Sequence, residues 1–194
     1  MSCLSVSSAH DSAPYDLAVE LRLLDPGDGE TVLQVFEGLG DRSRALRFLT
    51  AKPRLTAADL RQLTAVDQRD HVAVVAHSTL DGRAVGIARF VRDADDPGSA
   101  DVAVAVVDAW QGIGLGTMLT QDLVERALAL GVHRFTMAMS SQNEAAVRLL
   151  HRTPGEIERL SIDEQLAEFA IEVGRRPVQP WPRLGAGLRA GLRR

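Results

Sequence analysis

The residues best placed to do chemistry lie between Val104 and Thr117. An apolar stretch ends in Asp108-Ala109-Trp110-Gln111. Gly112-Ile113-Gly114-Leu115-Gly116-Thr117 follows, and then a helical pattern. Three alternating glycines at a strand-to-helix junction let the backbone approach a ligand closely and turn several N–H groups the same way. The helix adds its unpaired first-turn amides and the positive end of its dipole. The chemistry this predicts is anion binding, phosphate above all. The other use of such glycines is tight strand–helix packing. Three in alternation, with a strand before and an amphipathic helix after, favour the ligand.

Two familiar phosphate motifs fit poorly. A dinucleotide fingerprint, G-x-G-x-x-G, counted from Gly112 requires glycine where the chain has Thr117. It also belongs after the first strand of its fold, and this stretch follows the fourth. A Walker loop requires Gly-Lys-Ser/Thr, but Gly116 runs directly into Thr117 and no lysine is near. Elsewhere the chemistry-bearing residues are sparse. Cys3 is the single cysteine; it forms no internal disulfide and stands in a polar leader unsuited to hold a nucleophile. His71, His77 and His133 fall on strand patterns without metal-ligand spacing, so they read as structural and no metal site is expected.

The elements that must position the glycine stretch are legible from periodicity. Val19 to Leu24 alternates as a strand, and Asp25 to Gly29 makes a turn. Glu30 to Leu39 has helical spacing and ends at Gly40. Ser43 to Leu49 predicts a further helical turn. Thr56 to Val66 predicts a short helix with Thr56 as N-cap and Asp59 three residues on. His71 to Thr79, Ala84 to Val91 and Asp101 to Val107 read as an antiparallel meander, its first turn at Asp81-Gly82. Gly114 to Leu130 is helical, with Leu115, Leu119, Leu123, Ala127 and Leu130 on one face and Thr117, Gln121 and Glu125 on another. Val132 to Met139 is a strand. Ser141 and Glu144 have capping-box spacing for a helix running to about Arg152, stopped by Thr153-Pro154-Gly155. Glu156 to Ile162 and Leu166 to Val173 are two last strands.

Strands predominate and helices punctuate them. The fold class is therefore α+β (mixed α/β): a single domain with a central, mostly antiparallel mixed sheet flanked by helices. Residues 1–16 read as a flexible leader, 17–174 as the domain and 175–194 as an Arg/Pro/Gly-rich tail. At 194 residues, 45 % apolar and 25 % charged, the chain supports one hydrophobic core and is not a disordered polymer. The net charge of −4 conceals a split, because the last twenty residues hold six arginines and no acid. The acidic remainder argues against nucleic acid as a partner. No apolar run is long enough to span a bilayer, and the start lacks a signal-peptide pattern, so the expected setting is cytoplasmic.

Gln111-x-x-Gly114-x-Gly116 resembles the Arg/Gln-x-x-Gly-x-Gly/Ala motif of the GNAT family of N-acetyltransferases, and Asn143 with Ala146 resembles that family's second motif. Ser43-Arg44-x-x-Arg47-Phe48, Asp101-Val102-Ala103 and Asp108-Ala109-Trp110-Gln111-Gly112 are similar to phrases in the acetyltransferase domain of bacterial Pat-type protein lysine acetyltransferases. The resemblance runs from about Val19 to Val173. It implies acetyl-CoA as co-substrate and direct acetyl transfer to an amine, a protein lysine being the favoured acceptor and a small-molecule amine the alternative. A non-catalytic acyl-CoA-binding sensor or interaction module is the reading from a different class.

The resemblance also implies roles. The pyrophosphate would rest on the amides of Gln111, Gly112, Ile113, Gly114, Leu115, Gly116 and Thr117. The pantetheine arm would lie beside Val104 and Val106, on a strand splayed from its neighbour, with Asn143 contacting the arm. An amide near Val106 would receive the oxyanion. Asp101 stands where Pat-type enzymes carry an acidic residue, usually glutamate, and would act as general base, its shorter side chain calling for a bridging water. Asp108 is the second candidate, better read as a cap for the glycine loop. Arg44 and Arg47 would orient acceptor or cofactor charge. The tyrosine acid of many relatives would fall at Leu150, so no such acid is expected; His151 beside it reads as solvated.

Overall fold

Alternating and valine-rich segments form the strands where the pattern predicts them. The computed structural model describes residues 17–163 and 165–174; the expected leader (1–16) and tail (175–194) lie outside the described residues. β1 (Val19–Leu23), β2 (His71–Ser78), β3 (Ala84–Arg92) and β4 (Ser99–Val106) pair antiparallel in succession. The β2–β3 turn falls at Asp81-Gly82, with Gly82 at φ +72°, the left-handed conformation a tight hairpin needs. β5 (Arg134–Ser140), β6 (Glu156–Ile162) and β7 (Leu166–Glu172) complete a seven-stranded sheet of order β1-β2-β3-β4-β5-β7-β6. β4 and β5 are its parallel pair; every other neighbouring pair is antiparallel. This is the mixed, mostly antiparallel sheet that the sequence predicts.

Helices cover both faces. α1 (Gly29–Glu37), α2 (Asp41–Phe48) and α3 (Ala57–Leu63) lie between β1 and β2 in the chain; α4 (Leu115–Ala129) and α5 (Glu144–Arg152) flank β5. β2 is buried on both faces, which is why it reads as an unbroken apolar run. Its Val72 and Val74 pack with Phe90, Leu119, Leu123 and Ala127 of the α4 side. Its Ala73 and Val75 pack with Leu24, Val32 and Val35 on the α1 side. A Cβ on Gly86 would stand 2.9 Å from Leu119 Cδ1, so glycine there lets α4 settle onto β3. Among the described residues, no helix is long and apolar enough to cross a membrane.

Three local expectations are revised. Thr56 caps α3 in a reciprocal box with Asp59 as expected. α5, however, is capped by Asn143, whose Oδ1 accepts the Ala146 N–H at 3.0 Å, and not by Ser141. The chain first turns off β5, with Asn143 N–H donating to Ser140 O, so the helix starts later than the Ser141–Glu144 spacing suggests. Thr117, expected on the polar face of α4, is 5 % exposed, because it lines a cleft in the sheet, while Glu125 on the same face is exposed. β5 begins at Arg134, not Val132, whose N–H is still held by Ala127 O in the exit turn of α4.

Leu119 is fully buried between α4 and the sheet. Leu119→Ala is expected to lower the unfolding free energy by about 2–5 kcal/mol, measured by urea denaturation followed by circular dichroism.

Candidate active site

The parting of β4 and β5 makes the site. The two strands pair only at Ser99↔Arg134, Ala100↔Phe135 and Asp101↔Thr136. Beyond Asp101, β4 stays with β3 while β5 follows β7. The gap is a cleft of about 540 Å³. Val104 and Val106 line it from β4, Met137 and Met139 from β5, Gly114, Gly116 and Thr117 from the loop and α4, and Asn143 from the start of α5. Val107 N–H donates to Val85 O at 3.0 Å. Backbone groups alternate along an antiparallel strand, so the N–H and C=O groups of Val104 and Val106 point to the other edge, where β5 has left. The Val104 N–H and C=O and the Val106 N–H are available to an extended ligand, the Val106 O being engaged by Gln111 Nε2.

The glycine loop adds amides at one end of this cleft. Gly112 (φ +78°) and Gly114 (φ +100°) adopt conformations that an L side chain resists. Gly116 does not: a Cβ there would make ordinary contacts with Leu149 Cδ2 at 3.6 Å and Val106 Cγ2 at 3.8 Å. Two of the three glycines are thus required by the backbone. Asp28, Thr56 and Asn143 cap α1, α3 and α5 with their side chains, whereas Gly114 gives α4 no side-chain cap. The longest helix of the domain therefore presents bare first-turn amides and its positive dipole end beside the cleft. The Leu115 side chain is buried in the core at 1 % exposure while Ile113 is exposed, so these two can offer a ligand main-chain groups more readily than specific side chains.

The loop is held from behind. Gln111 Nε2 donates to Val106 O at 2.9 Å and to Asp108 Oδ1 at 3.0 Å. Asp108 Oδ2 accepts the Gly40 N–H at 3.1 Å. Asp108 is thus a strut between the loop and the start of α2, not the loop cap expected from sequence. A Cβ on Gly38 would lie 2.6 Å from Val107 Cγ2, which shows how closely the end of α1 abuts the end of β4.

Asp101 closes the cleft at its root, since it is the last β4 residue paired with β5. Partial burial pushes its carboxyl above the usual range, and the nearby Arg47 guanidinium works against that rise. Its side chain borders a second cavity of about 260 Å³ on the α2–α3 side. Arg47 and Ala103 line both cavities, so the two adjoin. Arg44 is not at the site: its guanidinium donates to Phe36 O and Glu37 O and lies 4.4 Å over the Phe36 ring, tying α2 to the end of α1. Leu150 is 3 % exposed within the core and brings no proton donor. Sequence reasoning missed Arg89, also on the second cavity. Its signal is a single charge inside the apolar run of β3.

The model of the family described as "Acetyltransferase (GNAT) family" matches residues 42–154. The chain belongs to the GNAT family of acetyl-CoA-dependent acetyltransferases. It is 31 % identical to Acetyltransferase Pat of Mycolicibacterium smegmatis over 162 residues, covering 84 % of this chain and 47 % of that protein. The chain thus spans about half the length of that relative. It is 32 % identical over 129 residues to an acetyltransferase of Pseudomonas aeruginosa, covering 66 % of this chain and 69 % of that one. The GNAT domain of S. lividans PAT superimposes with a TM-score of 0.72 at 25 % identity, covering 80 % of this chain and 90 % of that domain. The glycine loop and the splayed strands β4 and β5 lie within the residues that the family model matches.

The loop geometry separates two substitutions. Gly114→Ala forces a side chain into a left-handed conformation at a cost of about 1–3 kcal/mol. It is expected to weaken acetyl-CoA binding at least about tenfold in calorimetry. Gly116→Ala, which has room, is expected to stay within about threefold of the parent.

Proposed function

We propose that this protein transfers the acetyl group of acetyl-CoA directly to the amine of a protein lysine. The observation that carries the reading is the parting of β4 from β5 beyond Asp101, beside an α4 N-terminus without a side-chain cap. In this reading the pyrophosphate rests on the amides from Gln111 to Thr117, where main-chain N–H groups and the helix dipole favour negative charge. The pantetheine arm follows Val104 and Val106 as a short extra strand. Asn143 spends its Oδ1 on its own helix, so its side-chain NH2 is the group left for the arm. The lysine acceptor rests on the motifs shared with Pat-type enzymes and on similarity to relatives named Pat.

The reaction assigns each group a task. A lysine ammonium, with a pKa near ~10.4, must lose a proton before it attacks. Asp101 takes that proton. It lies five residues before Val106, about 17 Å along the strand, so the proton passes through a chain of bridging waters. The free amine adds to the thioester carbonyl, and the oxyanion accepts a hydrogen bond from the amide of Val106. Collapse breaks the carbon–sulfur bond and expels the thiolate of coenzyme A while the surplus amine proton passes to water; no tyrosine acid is required because a thiolate is a stable leaving group.

An acetylation assay read by mass spectrometry on lysine peptides tests the proposal. Acetyl-CoA binding without modification of any amine would favour the non-catalytic acyl-CoA module instead. Asp101→Asn is expected to reduce turnover about 10²–10⁴-fold while leaving the acetyl-CoA dissociation constant within about twofold. Because the Arg47 cation lowers the Asp101 pKa, Arg47→Gln raises it. The base is active only when deprotonated, so the acid limb of the pH–rate profile moves to higher pH; an unmoved limb would remove Asp101 from the role.

A further inference from the structure

The sheet face toward α2 and α3 holds charge that the acetyl-transfer scheme leaves unused. Strand register sets His71, Val91 and Asp101 in one row and Ala73, Arg89 and Ala103 in the next. Directly paired residues point to the same face, so Arg89 stands between two alanines whose small side chains leave volume beside it. That volume is the 260 Å³ cavity, roofed by Arg47 and Phe48 of α2 and by Gln62 and Leu63 of α3.

Arg89 is 7 % exposed. Its Nη2 donates to Leu63 O and to His71 Nε2. His71 Nδ1 lies 2.9 Å from Ala65 O and so carries the proton. Burial and the facing Arg89 hold the His71 pKa below its ordinary value, which keeps the ring a neutral acceptor. Arg89 Nε is buried with no hydrogen-bond partner. Among the described residues, neither Arg47 nor Arg89 has a carboxylate within 4.0 Å. Burial and the Arg47 cation lower Arg89 to about 10, still well above neutral pH, and a guanidinium keeps its proton in proteins.

The acids bordering the cavity do not neutralise this pair. Asp59 is engaged by Lys52 Nζ at 2.6 Å and by Thr56. Asp101 lies on the exposed rim, facing Arg47. The buried Arg89 and half-buried Arg47 guanidiniums against one rim carboxylate leave a single net positive charge, and an unsatisfied buried donor is costly to keep. A monoanion entering the cavity meets both needs, and the planar guanidinium fork matches a carboxylate.

We infer that this cavity is an acceptor subsite that binds a carboxylate between Arg47 and Arg89 and thereby holds the acceptor's amine toward Asp101. The inference rests on the proposed acetyl transfer and adds a requirement for a carboxylate close to the reacting amine. Two sources share that chemistry: an acidic side chain flanking a protein lysine, and the α-carboxylate of a free amino acid.

Two matched acceptor pairs test it at saturating acetyl-CoA. One is a lysine peptide with glutamate beside the lysine, against the same peptide with glutamine. The other is methionine against methioninamide. In the parent protein, kcat/KM is expected to fall at least about tenfold on loss of the carboxylate in one pair, and that pair identifies the source. Arg47→Gln should shrink the ratio to about twofold or less, and Arg89→Lys, which keeps the charge but loses the fork, should also narrow it. Ratios within twofold in both pairs for the parent, or a ratio unchanged in both variants, would overturn the subsite. If no acceptor is acetylated, the transferase reading fails, and calorimetry of the same pairs without acetyl-CoA still decides. At least tenfold tighter binding of a carboxylate member supports the subsite; equal or absent binding overturns it.

Discussion

The main-chain hydrogen-bonding obligation of β4 governs this domain. A strand in a sheet interior normally satisfies both edges. β4 does so only through Asp101, and from there to Val106 it keeps β3 and loses β5. A sheet that opens in this way exposes polar backbone that a ligand of strand-like shape can satisfy. The glycine loop stands at the mouth of that opening because Gly112 and Gly114 take left-handed conformations, which turn the chain from β4 directly into α4.

Rigidity behind the loop is as much a part of the design as its glycines. Gln111 reaches back to Val106 O, and Asp108 reaches across to Gly40. The loop is thereby fixed to the end of β4 and to the start of α2 together. The proposed transfer, with phosphate held at one end and a thioester at the other, depends on such fixed spacing, because misplacement of the reacting atoms costs rate steeply.

The two faces of the sheet divide the labour. The α4 face carries main-chain donors and apolar packing, suited to a long carrier with a phosphate end. The α2–α3 face carries Asp101, Arg47, Arg89 and His71 around a small cavity. Charge is expensive in a protein interior, and a sheet otherwise lined with valine and alanine has no packing reason to hold Arg89 there. Arg47 and Ala103 border both cavities, so the faces communicate where β4 and β5 part.

The sequence by itself determined the element order, the mixed sheet and the glycine-rich junction between β4 and α4. Those features rest on local periodicity and on glycine stereochemistry, which neighbouring residues express without help from distant ones. The box at Thr56 and the turn at Asp81-Gly82 were legible for the same reason. Only the tertiary structure decided that β5 leaves β4 at Asp101, that Thr117 faces a cleft, that Asp108 braces α2, and that Arg44 packs on Phe36 while Arg47 joins Arg89. Each of these depends on strand register and helix docking between segments far apart in the chain, where side-chain direction and burial are fixed by packing and leave no local pattern to read.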